Sequence, residues 1–104
     1  GFSFGSSIAA QASYDVAGLV HLTLVAPPVE RYPYDRAGVF SSPLCVIQGD
    51  KDERVFAEGV YQWVDKLHSP AELIRYPEAS HFFHGYLTNL KSDLTETLLR
   101  QVAA

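Results

Sequence analysis

The chain has 104 residues, 47% of them hydrophobic and 19% charged, with a formal net charge of −4; this is the profile of one soluble globular domain and excludes disorder, collagen and coiled coil. The acidic excess comes with no Lys/Arg cluster, which excludes nucleic acid and anionic lipid as partners because both need concentrated positive charge. The longest mainly apolar stretch, Val16 to Ala26, carries His21 and Thr23 and falls far below the roughly 20 residues that span a bilayer, so no membrane segment is predicted.

In chain order, Ser6 to Tyr14 reads as a short helix of good helix formers, with Ser6 and Ser7 placed to satisfy free backbone N–H groups at its start. Leu22 to Ala26 is an apolar run stopped by Pro27 and Pro28, the pattern of a strand buried on both faces of a parallel sheet. Val29 to Ser42 has no sustained period and reads as a loop, with one helical turn around Tyr34 to Ala37. Pro43 then opens a second buried strand, Leu44 to Gln48, closed by Gly49 and Asp50. The single Cys45 lies inside it, so it has no internal bridge and reads as a buried strand residue of a reducing, cytoplasmic compartment. A helix from Val55 or Phe56 to Leu67 follows, with Phe56, Val60, Trp63, Val64 and Leu67 as the stripe that faces the sheet. Glu72 to Tyr76 is the third strand, closed by Pro77, and a last amphipathic helix runs from Tyr86 to Val102. Strands alternating with helices over short connections call for parallel pairing and an α/β layer fold.

Gly1 to Gly5 spell G-x-S-x-G directly before the first predicted helix. The chemistry asks for this pattern because a nucleophilic serine is presented on a sharp, strained turn, where flanking glycines remove side chains that would clash. The acid and the histidine are then expected further along, each after a later strand. Asp50, Asp52 and Glu53 follow the second strand and His81 follows the third. All these groups therefore fall at the C-terminal edge of the sheet, where open α/β sheets bind ligands. His81 and His84 also form H-x-x-H, but neither a cysteine nor a third ligand accompanies them, so no metal is expected. Phe82, Phe83, Tyr32 and Tyr34 stand where they either wall an acyl pocket or fill the core.

Gly1 to Ser6 (GFSFGS), Val25 to Val29 (VAPPV), Val46 to Val55 (VIQGDKDERV) and His81 to Leu87 (HFFHGYL) resemble the catalytic half of the α/β-hydrolase fold. They are most similar to its small, lidless, dienelactone-hydrolase-like group. The resemblance implies Ser3 as nucleophile, Asp52 as the acid of the G-x-x-D pattern that starts at Gly49, and His81 as the base. It also implies the backbone N–H of Phe4 as one oxyanion donor. Ser80 stands where the pattern has an Asp. Asp50 is then left to shape its turn through side-chain to backbone bonds.

The function implied is a serine hydrolase that cleaves an ester or thioester of a small acyl substrate, needs no cofactor, and has Phe82 and Tyr32 beside the substrate. Val29 to Ser42 is too short for a helical lid, so an open site is expected. The alternative is a noncatalytic, truncated hydrolase that offers surface to a partner. Only Gly1 and Phe2 precede Ser3, so the resemblance further implies a C-terminal fragment of one domain, 1–104, whose N-terminal half is its missing partner. On that reading the second oxyanion donor is missing too, the Leu22 to Ala26 strand has an open edge, and the isolated chain is expected to be inactive and to aggregate.

Overall fold

The computed structural model describes residues 1–34 and 39–103. Its elements are α1 (Phe4–Ser13), β1 (Leu22–Val25), β2 (Leu44–Gly49), α2 (Ala57–Asp65), β3 (Ala71–Tyr76) and α3 (Leu87–Ala103). The strands form one parallel sheet in the order β1-β2-β3, with Leu22 opposite Leu44 and Leu44 opposite Ala71. β2 is central and buried at all six of its positions, which is why its sequence is a near-continuous apolar run without alternating polarity. Successive side chains of a strand still point to opposite faces. Leu44 and Val46 join a cluster with Ala10 of α1 and Val60 and Tyr61 of α2, whereas Cys45 and Ile47 pack with Leu90 and Leu94 of α3. The result is three layers, with α1 and α2 on one face of the sheet and α3 on the other. This layering is the parallel α/β layer fold that the order of strands and helices calls for.

Three sequence expectations need correction. The first helix begins at Phe4, two residues before Ser6, because Ser3 itself serves as its N-cap residue. Phe56 is the N-cap residue of α2 and is 65% exposed, so it leaves the apolar stripe; Val60 is buried, and Trp63, Val64 and Leu67 pack against the core as the spacing requires. Tyr34 and Phe40 of the 29–42 loop are buried in the cluster under α1 and α2, so part of that loop is core. The helical turn expected at Tyr34 to Ala37 falls on residues outside those described, apart from Tyr34. Among the described residues, no helix is long and apolar enough to cross a membrane.

Candidate active site

Gly1 and Phe2 run beside the end of β1. Val25 N–H donates to the Gly1 carbonyl at 2.9 Å, Ser3 N–H donates to the Val25 carbonyl at 2.8 Å, and Phe2 and Val25 form a parallel bridge. Ser3 then takes φ 54° and ψ −127°, a combination that residues with a side chain rarely adopt, and α1 begins at the next residue. The turn is tight: a Cβ on Gly1 would lie 2.5 Å from the Gly5 carbonyl oxygen and 2.7 Å from Ser6 Cα. A Cβ on Gly5 would meet nothing within 4 Å, so the expected relief of clashes applies to the first glycine and not to the second.

Ser6 and Ser7, expected to cap the helix, tie it elsewhere. Ser6 Oγ donates to the Ser3 carbonyl at 2.5 Å and lies 2.5 Å from the Tyr34 hydroxyl, while Ser7 Oγ donates to the Pro33 carbonyl at 2.7 Å. Burial pushes the Tyr34 phenol up to about 12, which keeps it protonated and able to donate to Ser6. The Tyr34 hydroxyl also reaches the Ser3 carbonyl at 3.5 Å, so the carbonyl of the strained residue is approached from two elements at once, α1 and the loop that follows β1.

The turn after β2 is fixed against the loop after β3. Asp50 N–H donates to the Tyr76 carbonyl at 2.9 Å and Lys51 N–H to the Ala79 carbonyl at 3.1 Å. That approach is possible only because residue 49 is glycine: a Cβ there would lie 2.3 Å from the Ala79 carbonyl oxygen. In consequence Asp52 and His81, 29 positions apart in sequence, meet side by side. His81 Nδ1 is 2.8 Å from Asp52 Oδ2, and the two side chains are 2% and 0% exposed. On its other side His81 Nε2 is 3.1 Å from Ser3 Oγ. With Nδ1 protonated, the ring donates to the carboxylate and accepts from the hydroxyl.

Two further side chains, Gln48 and Glu53, and two backbone N–H groups hold this arrangement, and no local sequence pattern marks these contacts. Asp52 Oδ1 accepts the backbone N–H groups of Arg54 and Val55, each at 2.8 Å, and its Oδ2 accepts Gln48 Nε2 at 3.2 Å. Glu53 Oε2 accepts the backbone N–H of His81 at 3.3 Å. Asp50 does not make the turn bonds expected of it. Its carboxylate takes the Tyr61 hydroxyl and Arg75 instead, and these hold it below the usual carboxylate range, the Tyr61 bond most of all. Asp52 is the aspartate whose side chain shapes the turn.

Beside Ser3 and His81 is a cavity of about 380 Å³, also lined by Phe4, Arg31, Tyr32 and Arg54. Tyr32 thus stands at the cavity, its ring 4.8 Å from that of Phe4. Phe82 does not line it. It packs on the outer side of His81 with the two ring centres 4.9 Å apart and with Phe2 5.9 Å away. Phe83 and Tyr34 are core residues, so of the four aromatics only Tyr32 walls the cavity. His84 is exposed beyond Phe82, and among the described residues no group of three or more His, Cys, Asp and Glu is gathered as a metal site would need.

Neither a protein-family model nor a curated protein matches the chain. Solved structures do. An α/β serine hydrolase homologue from Coxiella burnetii is 41% identical over 94% of this chain and 47% of its own, with a TM-score of 0.86. A lidless α/β serine hydrolase from Xanthomonas campestris is 35% identical over 100% of this chain and 47% of its own, with a TM-score of 0.87. The chain belongs to the α/β-hydrolase superfamily. A protein of unknown function from Agrobacterium tumefaciens is also similar, 25% identical over 99% of this chain and 49% of its own, with a TM-score of 0.91. The chain therefore spans about half the length of each of these relatives, and it matches their C-terminal half.

Proposed function

We propose that Ser3, His81 and Asp52 form the catalytic relay of a serine hydrolase that cleaves an ester or thioester of a small acyl substrate through an acyl-enzyme. The observation that carries this reading is the continuous pair of side-chain hydrogen bonds from Ser3 Oγ to His81 Nε2 and from His81 Nδ1 to Asp52. His81 takes the Ser3 proton as Oγ attacks the acyl carbon, then returns it to the leaving alcohol or thiol as the carbon–oxygen or carbon–sulfur bond breaks. Water repeats the cycle in reverse and frees the acid. Asp52 fixes the tautomer and stabilises the imidazolium that forms.

Phe4 supplies the first oxyanion donor. Its N–H is among the unpaired donors at the start of α1, where the helix dipole is positive, beside the oxygen on which charge develops. The serine-hydrolase relatives support the reaction class. The motifs favour the small, lidless, dienelactone-hydrolase-like group within it. A cavity of about 380 Å³ with Tyr32 on its wall fits a short acyl chain. The single cysteine, buried and free with burial pushing its thiol up to about 12, suits a reducing cytoplasm and takes no part.

Turnover of p-nitrophenyl acetate by the full-length protein tests the proposal. A burst of p-nitrophenol equal to the enzyme concentration, lost in Ser3→Ala, is the expected result. Hydrolysis that survives Ser3→Ala contradicts the acyl-enzyme.

A further inference from the structure

β2 is buried at all six of its positions, and one of its side chains, that of Gln48, carries an amide. By the alternation of a strand Gln48 lies on the face of Leu44 and Val46, both packed in the cluster with α1 and α2. A third apolar side chain would suit that face, yet the amide is there and 0% exposed. Its Nε2 lies 2.9 Å from the Gly49 carbonyl oxygen and 3.2 Å from Asp52 Oδ2, and two acceptors on that side fix which end of the amide is the nitrogen. The other end is left over. Among the described residues no donor meets the buried Gln48 Oε1. A buried acceptor without a partner lowers stability, and a methionine of similar volume would bring no such atom.

Of the two bonds that the nitrogen makes, the one to Gly49 is duplicated, because the Gly49 carbonyl also accepts the Asp52 N–H at 3.3 Å. The one to Asp52 is not. Asp52 Oδ1 is held by the Arg54 and Val55 N–H groups, whereas Oδ2, which faces His81 Nδ1 at 2.8 Å, has Gln48 as its other donor. A carboxylate pinned at one oxygen can still turn about it, and a donor on the second oxygen fixes its plane. We propose that Gln48 is a positioning residue of the relay, whose amide keeps Asp52 Oδ2 directed at His81 while its own unpartnered oxygen lowers the stability of the fold. Gln48 does not line the cavity at Ser3, so its part is in turnover and not in substrate binding. The role rests on the serine-hydrolase reading and goes beyond it in giving a strand residue outside the relay a share in the rate.

The test sets Gln48→Met beside the parent full-length protein in turnover of p-nitrophenyl acetate and in the low-field proton resonance of His81 Nδ1–H, which needs no substrate. The kcat should fall by about tenfold to a hundredfold, the range of a hydrogen bond to a charged group. Acylation and deacylation both pass through His81 and fall together, so KM should stay within about twofold of the parent's. The resonance should broaden or shift as the carboxylate turns, and the thermal midpoint should stay at or above the parent's once the unpartnered oxygen is gone. Gln48→Glu keeps the shape but sets an oxygen against Asp52 Oδ2, so its kcat should fall at least as far, and it decides the matter if Gln48→Met does not fold. An amide that only ties the turn predicts the reverse, a lower midpoint with an unmoved resonance and an unchanged kcat in the folded variant. A kcat within about twofold of the parent's, or a resonance that does not change, overturns the role and leaves the hydrolase standing. Parent turnover that is absent or survives Ser3→Ala overturns the hydrolase reading and the role with it.

Discussion

Ser3 and His81 are joined by one hydrogen bond, so in the proposed relay neither works without the other. Ser3→Ala and His81→Ala should each lower kcat by on the order of a thousandfold or more, and the double variant should be little worse than either single one. Losses that multiply in the double variant, measured with one ester under one set of conditions, would count against the relay. The acid makes a sharper contrast. Asp52→Asn puts an amide against the His81 ring and should lower kcat/KM by on the order of a thousandfold, since the wrong tautomer is then held. Asp50→Asn should cost less than about tenfold, being tied to Tyr61 and Arg75 and not to the ring.

Asp50 instead bears on stability, and the sign follows from its depressed carboxyl. A group whose folded pKa lies below its unfolded value stabilises the fold above the unfolded value and stops doing so as the pH falls through the folded one. Asp50→Asn should therefore lower the urea midpoint at pH 7, and the gap to the parent should close below about pH 4. A gap that persists at pH 2 would mean that the loss comes from something other than the charge. The distinction between the two aspartates was only half legible in the sequence. Their order and the G-x-x-D spacing pointed to Asp52, but the turn-shaping role expected of Asp50 belongs to Asp52, whose Oδ1 takes two backbone N–H groups. Gln48 and Glu53 support the pair through contacts that arise only after the β2 and β3 loops dock, so no local pattern could announce them.

At the level of elements, the nucleophile turn combines strain with restraint. Ser3 sits at φ 54°, and its carbonyl is held by the Ser6 amide at 2.9 Å and by the Ser6 hydroxyl. Ser3→Ala and Ser3→Gly remove the same hydroxyl and differ in backbone cost, so Ser3→Gly should be the more stable of the two by about 1 kcal/mol. Equal thermal midpoints would show that the turn carries no strain. Strands were legible as apolar runs because β2 is covered on both faces, whereas helix starts were not. Phe56 fits the helical period and yet lies outside α2, since periodicity does not distinguish an N-cap residue from a first turn. Nor does a sequence show that Ser3, the residue offered as nucleophile, is also the residue that ends the extended segment and begins α1.

For the molecule as a whole, the parallel sheet delivers Ser3, Asp52 and His81 to one edge from three connections; strand order made this legible for Asp52 and His81, and the G-x-S-x-G pattern for Ser3. The pairing of Gly1 and Phe2 with β1 was not: two residues are too few to read as a strand, and only Val25 reveals them as part of the sheet. The chain spans about half the length of its solved relatives, so the central claim is best tested at the serine itself and independently of any particular substrate. A fluorophosphonate probe applied to the folded full-length protein, followed by mass mapping of the adduct, makes that measurement. The relay predicts one adduct, on Ser3, absent after Ser3→Ala, strongly reduced after His81→Ala and abolished by denaturation. A folded protein that takes up no probe, or takes it up equally when unfolded or at another residue, would contradict the account.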